Sequence, residues 1–219
     1  MGVSIVAIGL VGVLLANTFL KESYENWKIQ NIVSTNPEWQ KQFDVVKEWQ
    51  KKNKETNYAE SALVSALAFE WKTLAEMTAD KKIFQKSFEV YKLGADKFGQ
   101  KQIPFFWNAG KVAEIIEDYL QAEFLYKEAI RVAPTYNESY HYLADLYEYK
   151  MKKTEREVLQ AYADGITGTG GDASLFLDQC SYLRRHNRVK DAIECYDILV
   201  KSYPENQGYK EVLEELKQQ

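Results

Sequence analysis

Apolar side chains recur at helical intervals along most of this chain, and no stretch alternates Val, Ile and Thr in the two-residue rhythm of a sheet. The clearest segment is 105–134, FFWNAGKVAEIIEDYLQAEFLYKEAIRVAP, which reads as two amphipathic helices joined by a short turn. Its first half carries the small pair Ala109 and Gly110, its second half Ala122 and Ala129, and Pro134 closes it. Proline ends a helix because its ring clashes with the preceding turn and it offers no N–H. Small residues let antiparallel helices approach, so Gly110 and Ala122 are expected face to face, with Tyr126 and Ile130 filling the gap to the next hairpin. One such hairpin leaves an apolar outer face, so neighbouring hairpins are expected.

The same rhythm returns on both sides. Counting from Ile103 as position 1 places Ala109 and Gly110 at 7 and 8, Tyr119 at 17, Ala122 at 20, Tyr126 at 24, Ala129 at 27 and Pro134 at 32. A start at Ala68 puts Trp71 at 4, Leu74 at 7, Ala75 at 8, Tyr91 at 24 and Gly94 at 27. From Asn137, Tyr140, Leu143, Ala144 and Tyr147 take 4, 7, 8 and 11, and a longer turn through MKKTE brings Val158, Tyr162 and Gly165 to 20, 24 and 27. From Ala173, Cys180, Ala192, Tyr196, Leu199 and Pro204 take 8, 20, 24, 27 and 32. Starts at 68, 103, 137 and 173 lie 35, 34 and 36 apart.

These offsets resemble the tetratricopeptide repeat, whose period is about 34 residues. The resemblance covers about residues 68–219 and implies an all-α fold: a right-handed superhelical solenoid of helical hairpins, here preceded by an N-terminal transmembrane helix. Four repeats are expected at 68–102, 103–136, 137–172 and 173–206. A polar-backed helix over 207–219 then caps the array, and 37–67 forms an N-terminal cap or degenerate repeat. Thr35, Asn36, Pro37 and Glu38 mark the start of the helix in that cap.

Residues 3–20, VSIVAIGLVGVLLANTFL, contain no charge and would span about 27 Å as a helix, close to a bilayer core. No Lys or Arg precedes them and the Leu14, Leu15, Ala16 sequence is a poor cleavage site, so an uncleaved single-pass anchor is expected ahead of a cleaved signal. Residues 21–36 would link it to the domain, with Tyr24 and Trp27 near the interface. Lys21 and Lys28 after the apolar run lean the domain toward the cytoplasmic side.

A net charge of -4 excludes a broad nucleic-acid footprint. His141 and His186, the only histidines, stand at no metal-ligand spacing, so neither metal nor cofactor is expected. The glycines of TGTGG at 167–171 follow a helix and lack the Lys-Ser or Lys-Thr pair of a phosphate loop; they read as a helix end, with Asp172 capping the next helix. Cys180 and Cys195 form no zinc pattern; they are expected as two core residues of one hairpin, with a disulfide as the alternative in an oxidising compartment. Glu114, Glu117 and Asp118 read as solvent-facing. No catalytic constellation is evident, so the chain is not expected to be an enzyme.

The resemblance implies a concave surface made by first helices, and carries onto this chain Lys72, Trp107, Asn108, Lys111, His141, Tyr142, Asp145, Tyr149, Leu177 and Arg184, with Asp178, Ser181 and Arg185 beside them. Rings next to scattered charge suit a protein or peptide partner, rings as anchors and polar groups setting register. A membrane-anchored adaptor or scaffold is therefore expected, with a structural subunit of a larger membrane or envelope assembly as the alternative.

Overall fold

The computed structural model describes residues 24–218, and among these all regular structure is helical. The expected span at 3–20 lies outside them; among the described residues no helix is long and apolar enough to cross a membrane. The described residues form two compact units that divide at residue 90.

In the first unit, α1 covers 24–33, α2 Pro37–Glu55 and α3 Ser61–Thr78, and α4, Lys81–Phe98, begins there and runs on into the second. Asn36 caps α2, its side-chain oxygen accepting from the Glu38 N–H at 2.9 Å, and Pro37 sits at the first helical position, where its missing donor costs nothing. Residues 24–33 do more than link. Ile29 and Val33 are buried against Phe43, Val46, Leu67 and Trp71, while Tyr24 and Trp27 stay exposed and stack on each other. The buried Ser87 hydroxyl donates to the Ala68 carbonyl at 2.9 Å and ties α4 to α3.

The second unit pairs successive helices into hairpins. They are α5 (Pro104–Ile115) with α6 (Tyr119–Val132), α7 (Asn137–Asp145) with α8 (Glu155–Gly168), and α9 (Ala173–Arg185) with α10 (Val189–Ser202), followed by α11 (Gln207–Lys217). Side-chain caps open most of these helices: Asp118 for α6, the Thr154 and Glu157 capping box for α8, Asp172 for α9 and Asn206 for α11. Each hairpin turn contains a left-handed residue, Glu117, Lys152 or Asn187. Such residues reverse the chain within a few positions.

Close packing follows the small residues. A Cβ on Gly110 would run into the ring of Tyr126, one turn along α6 from Ala122 and itself fully buried. Gly94 receives the Phe105 ring in the same way, and Gly165 receives Tyr140 and Leu175. Bulk on one helix fills the notch on another. In the last hairpin the two cysteines are not merely core residues: Cys180 and Cys195 form a disulfide, Cα to Cα 5.4 Å, beside Leu183, Ala192, Tyr196 and Leu199.

α7 does not end cleanly. Its last turn, Leu146–Lys150, is π-helical and carries Glu148 and Tyr149. A wider turn of this kind shifts the register of everything that follows, which accounts for the longer connection that the spacing through MKKTE requires.

Candidate binding face of the second unit

Three first helices supply one polar stripe each, at the three- and four-residue steps of a helix face: Trp107, Lys111 and Glu114 on α5; Tyr142, Asp145 and Tyr149 on α7; Asp178, Ser181 and Arg185 on α9. Their side chains are joined across the hairpins. The Trp107 indole N–H donates to the buried Ser139 hydroxyl at 2.8 Å, and its ring lies 6.0 Å from Tyr136 and 6.1 Å from Tyr142. Lys111 donates to the Tyr142 hydroxyl at 2.7 Å and sits over its ring. On the other side of α7, His141 Nδ1 meets Asp178 Oδ2 at 2.6 Å, and Arg185 forks onto Glu148 at 2.8 and 3.1 Å. His186 approaches the same carboxylate at 3.3 Å while stacking on Tyr182.

The second helices floor this face with a repeated tyrosine. Tyr126, Tyr162 and Tyr196 occupy the same place in their hairpins, each nearly fully buried. The Tyr126 hydroxyl donates to Glu114 at 2.5 Å, so Glu114 is a paired group of the face and not an ordinary solvent-facing acid. The Tyr196 hydroxyl lies 3.2 Å from Ser181 Oγ. Tyr162 makes no hydrogen bond among the described residues.

Charge on the face is unevenly balanced. The hydrogen bond to Asp178 holds the His141 imidazolium, raising its pKa. Among the described residues Asp145 makes no ion pair; its outer surface is exposed, while its carboxyl lies close to the packed helices. Burial, and then the like charge of Asp178, push its pKa up. Burial raises the Tyr162 pKa too, and the charges of Asp145, Asp178 and Glu148 add to it.

One constellation was not visible in the sequence. Ser174 Oγ lies 3.0 Å from His141 Nε2, and His141 Nδ1 lies on Asp178, the order of a nucleophile, base and orienting acid. The chemistry stops there. Asp172 takes the Ser174 hydroxyl as a partner, and its Oδ1 accepts from the N–H groups of Ser174 and Leu175, the donors an oxyanion would need. A carboxylate in that position repels the charge an acyl transfer develops. With Asn137 donating to Asp172 at 3.1 Å, the group is a polar tie between α7 and α9.

Of the other residues picked out by the repeat register, Asn108 is half-buried next to Trp107, and Tyr149 is exposed on the π turn. Leu177 packs into the C-terminal core, and Arg184 is exposed on α9 with no ion pair to Asp178 or Glu148. Lys72 belongs to α3 in the first unit, where it pairs with Glu76 at 2.9 Å. A cavity of about 660 Å³ in the second unit is lined by Glu123 and Lys127 of α6, Leu143 and Tyr147, and residues of α8, and includes none of the face residues named above. Among the described residues no three His, Cys, Asp or Glu side chains converge as a metal would require.

No family model matches the sequence, and no curated protein matches it. Solved structures do. The chain is similar to the MamA protein, with a TM-score of 0.56 and 12% identity over 85% of this chain and 96% of that one. It is also similar to BtubC (BKLC) from P. vanneervenii, with a TM-score of 0.52 and 12% identity over 78% and 76%. Both are tetratricopeptide-type helical-repeat proteins, and the likeness establishes a fold of that type.

Proposed function

We propose that the chain is a scaffold that binds a segment of a partner protein along the first-helix face of α5, α7 and α9, and that residues 3–20 hold it at a membrane. One observation carries the reading. Three successive helices present aromatic and charged side chains on one face, fixed in place by bonds between hairpins, while Asp145 and Tyr149 in the middle remain open. Preorganised side chains with an open centre suit recognition, because little ordering remains to be done on binding. The tetratricopeptide-type fold supports a protein partner in preference to a chemical substrate.

The disulfide bears on the side of the membrane. The two lysines after the apolar run lean the domain inward, but their charge bias is small. A disulfide persists where thiols are not kept reduced. We therefore place the domain on the oxidising side; trapping thiols in intact cells and finding Cys180 and Cys195 both alkylated without prior reduction would overturn that placement.

A photo-crosslinking amino acid at Tyr149, on the face, and at Phe124, on the outside of α6, tests the reading in cells. Discrete adducts from 149 and none from 124 support it. The converse favours a fixed structural subunit, for which Leu120 and Phe124, 73% and 54% exposed one turn apart, would be the buried contact.

A further inference from the structure

In two of the three hairpins the buried tyrosine on the second helix satisfies a polar group of its own first helix, Tyr126 with Glu114 and Tyr196 with Ser181. Ser181 and Asp145 are equivalent, each the ninth residue of its hairpin, and so are Tyr196 and Tyr162. The middle hairpin breaks the pattern. Tyr162 is 2% exposed and, among the described residues, forms no hydrogen bond, and the Asp145 carboxylate has neither a hydrogen bond nor an ion pair among them. The ring is enclosed, but the hydroxyl oxygen keeps a small opening to solvent through which a donor from outside can reach it. Around the pair stand Asp178, held by His141, and Glu148, held by Arg185 and His186.

Resting on the binding face described above, we infer that the partner segment carries a basic side chain, arginine or lysine, whose cationic head is received between the Asp145 carboxylate and the Tyr162 hydroxyl, against the Tyr149 ring. The chemistry fits term by term. A guanidinium or ammonium donates to the carboxylate and to the phenol oxygen at once, leaving neither unsatisfied. It neutralises an acid of the face that, among the described residues, has neither a basic partner nor a hydrogen bond, whereas Glu114 at least takes the Tyr126 hydroxyl. Tyr149, half exposed on the π turn next to Asp145, gives the stem or the flat guanidinium a ring to lie on. Lys111 is no competitor for the site, since it is spent on Tyr142. An acidic or phosphorylated segment would meet Asp145, Asp178 and Glu148 with like charge, and the face offers no third ligand in reach to favour a divalent metal.

Random dodecapeptides displayed on phage and panned against the full chain in mild detergent test this. The expected result is selection of one fixed Arg or Lys in an otherwise variable frame. In fluorescence anisotropy titrations, replacing that residue by Gln should weaken the labelled peptide about tenfold, Asp145→Asn should do the same, and the two changes together should cost little more than either. Tyr162→Phe, which removes one oxygen from the floor, should weaken the basic peptide and leave its Gln form unaffected. Circular dichroism melts of both variants at or above wild type separate lost binding from lost fold. Peptides selected without a preferred cation, yet still crosslinking at position 149, overturn this inference and leave the binding face standing. Failure to select any peptide counts against both. Free arginine or putrescine competing as well as the peptide, mole for mole, also overturns it, because the site would then be one for small cations.

Discussion

Removing the Cys180–Cys195 disulfide perturbs the last hairpin by an amount that follows from its place in the chain. The bond closes a loop of sequence separation 15 around the α9–α10 turn. In the chain-entropy account, releasing such a loop in the unfolded state lowers stability by about 3 kcal/mol at 25 °C. If the second unit melted as one body of 129 residues (91–219), its unfolding entropy of roughly 0.27 kcal/mol/K would convert that to a drop of about 11 °C. Stacked hairpins seldom melt as one body, because each contacts only its neighbours. The loss should therefore fall on α9, α10 and α11 first. Differential scanning calorimetry of the full chain, oxidised and after full reduction, gives the size; amide exchange gives the place. Cys180→Ala with Cys195→Ala serves as a second form, since Cys180 is buried and 195 nearly so, and a slow reductant must not be mistaken for a strong fold. A melt that moves by less than about 2 °C, or exchange that quickens evenly from α5 to α11, would refute the reasoning.

Three further outcomes are expected. Asp145→Asn should stabilise the second unit at neutral pH: the folded carboxyl is raised above its ordinary 3.8, so its ionisation costs stability as pH climbs through the folded value, and the advantage of the variant should vanish in melts taken well below pH 3.8. Trp107→Phe keeps the ring but strands the buried Ser139 hydroxyl, and should cost about 1–2 kcal/mol in urea unfolding with the helix content of the native baseline unchanged. Gly110→Leu drives a branched side chain into the Tyr126 ring and its bond to Glu114; a loss of about 1–3 kcal/mol or more is expected by the same assay, and a neutral result would mean the hairpin separates freely there.

Periodicity alone made the hairpins legible, since the apolar and small residues at fixed offsets are the ones that pack. It did not show which side chain fills the notch: the space at Gly110 belongs to Tyr126, whose ring is long enough to cross from α6 to α5. The same length hid the floor of the face: a tyrosine on a second helix reads as core, and only its geometry shows the hydroxyl reaching a polar group of the first helix, Glu114 or Ser181. Register placed Lys111, His141, Tyr142, Asp145 and Tyr149 on the elements that form the face. It also gathered Leu177 and Arg184, because a stripe about two residues wide on α9 cannot be divided from spacing into the half that packs and the half that meets α7. The disulfide was open in the sequence for a plain reason: two cysteines fifteen apart span a turn whose length, not their spacing, decides whether the sulfurs meet.

Trp107 also gives the protein an internal light source. The other four tryptophans, at 27, 39, 49 and 71, lie before residue 90, so every indole photon from the second unit comes from this ring. It stands at the joint of α5 and α7, near Tyr136 and Tyr142, which pass excitation to it. With phenylalanine at the other four positions, its emission maximum and lifetime would register a ligand settling on α7 or the joint opening, in real time and with no dye attached.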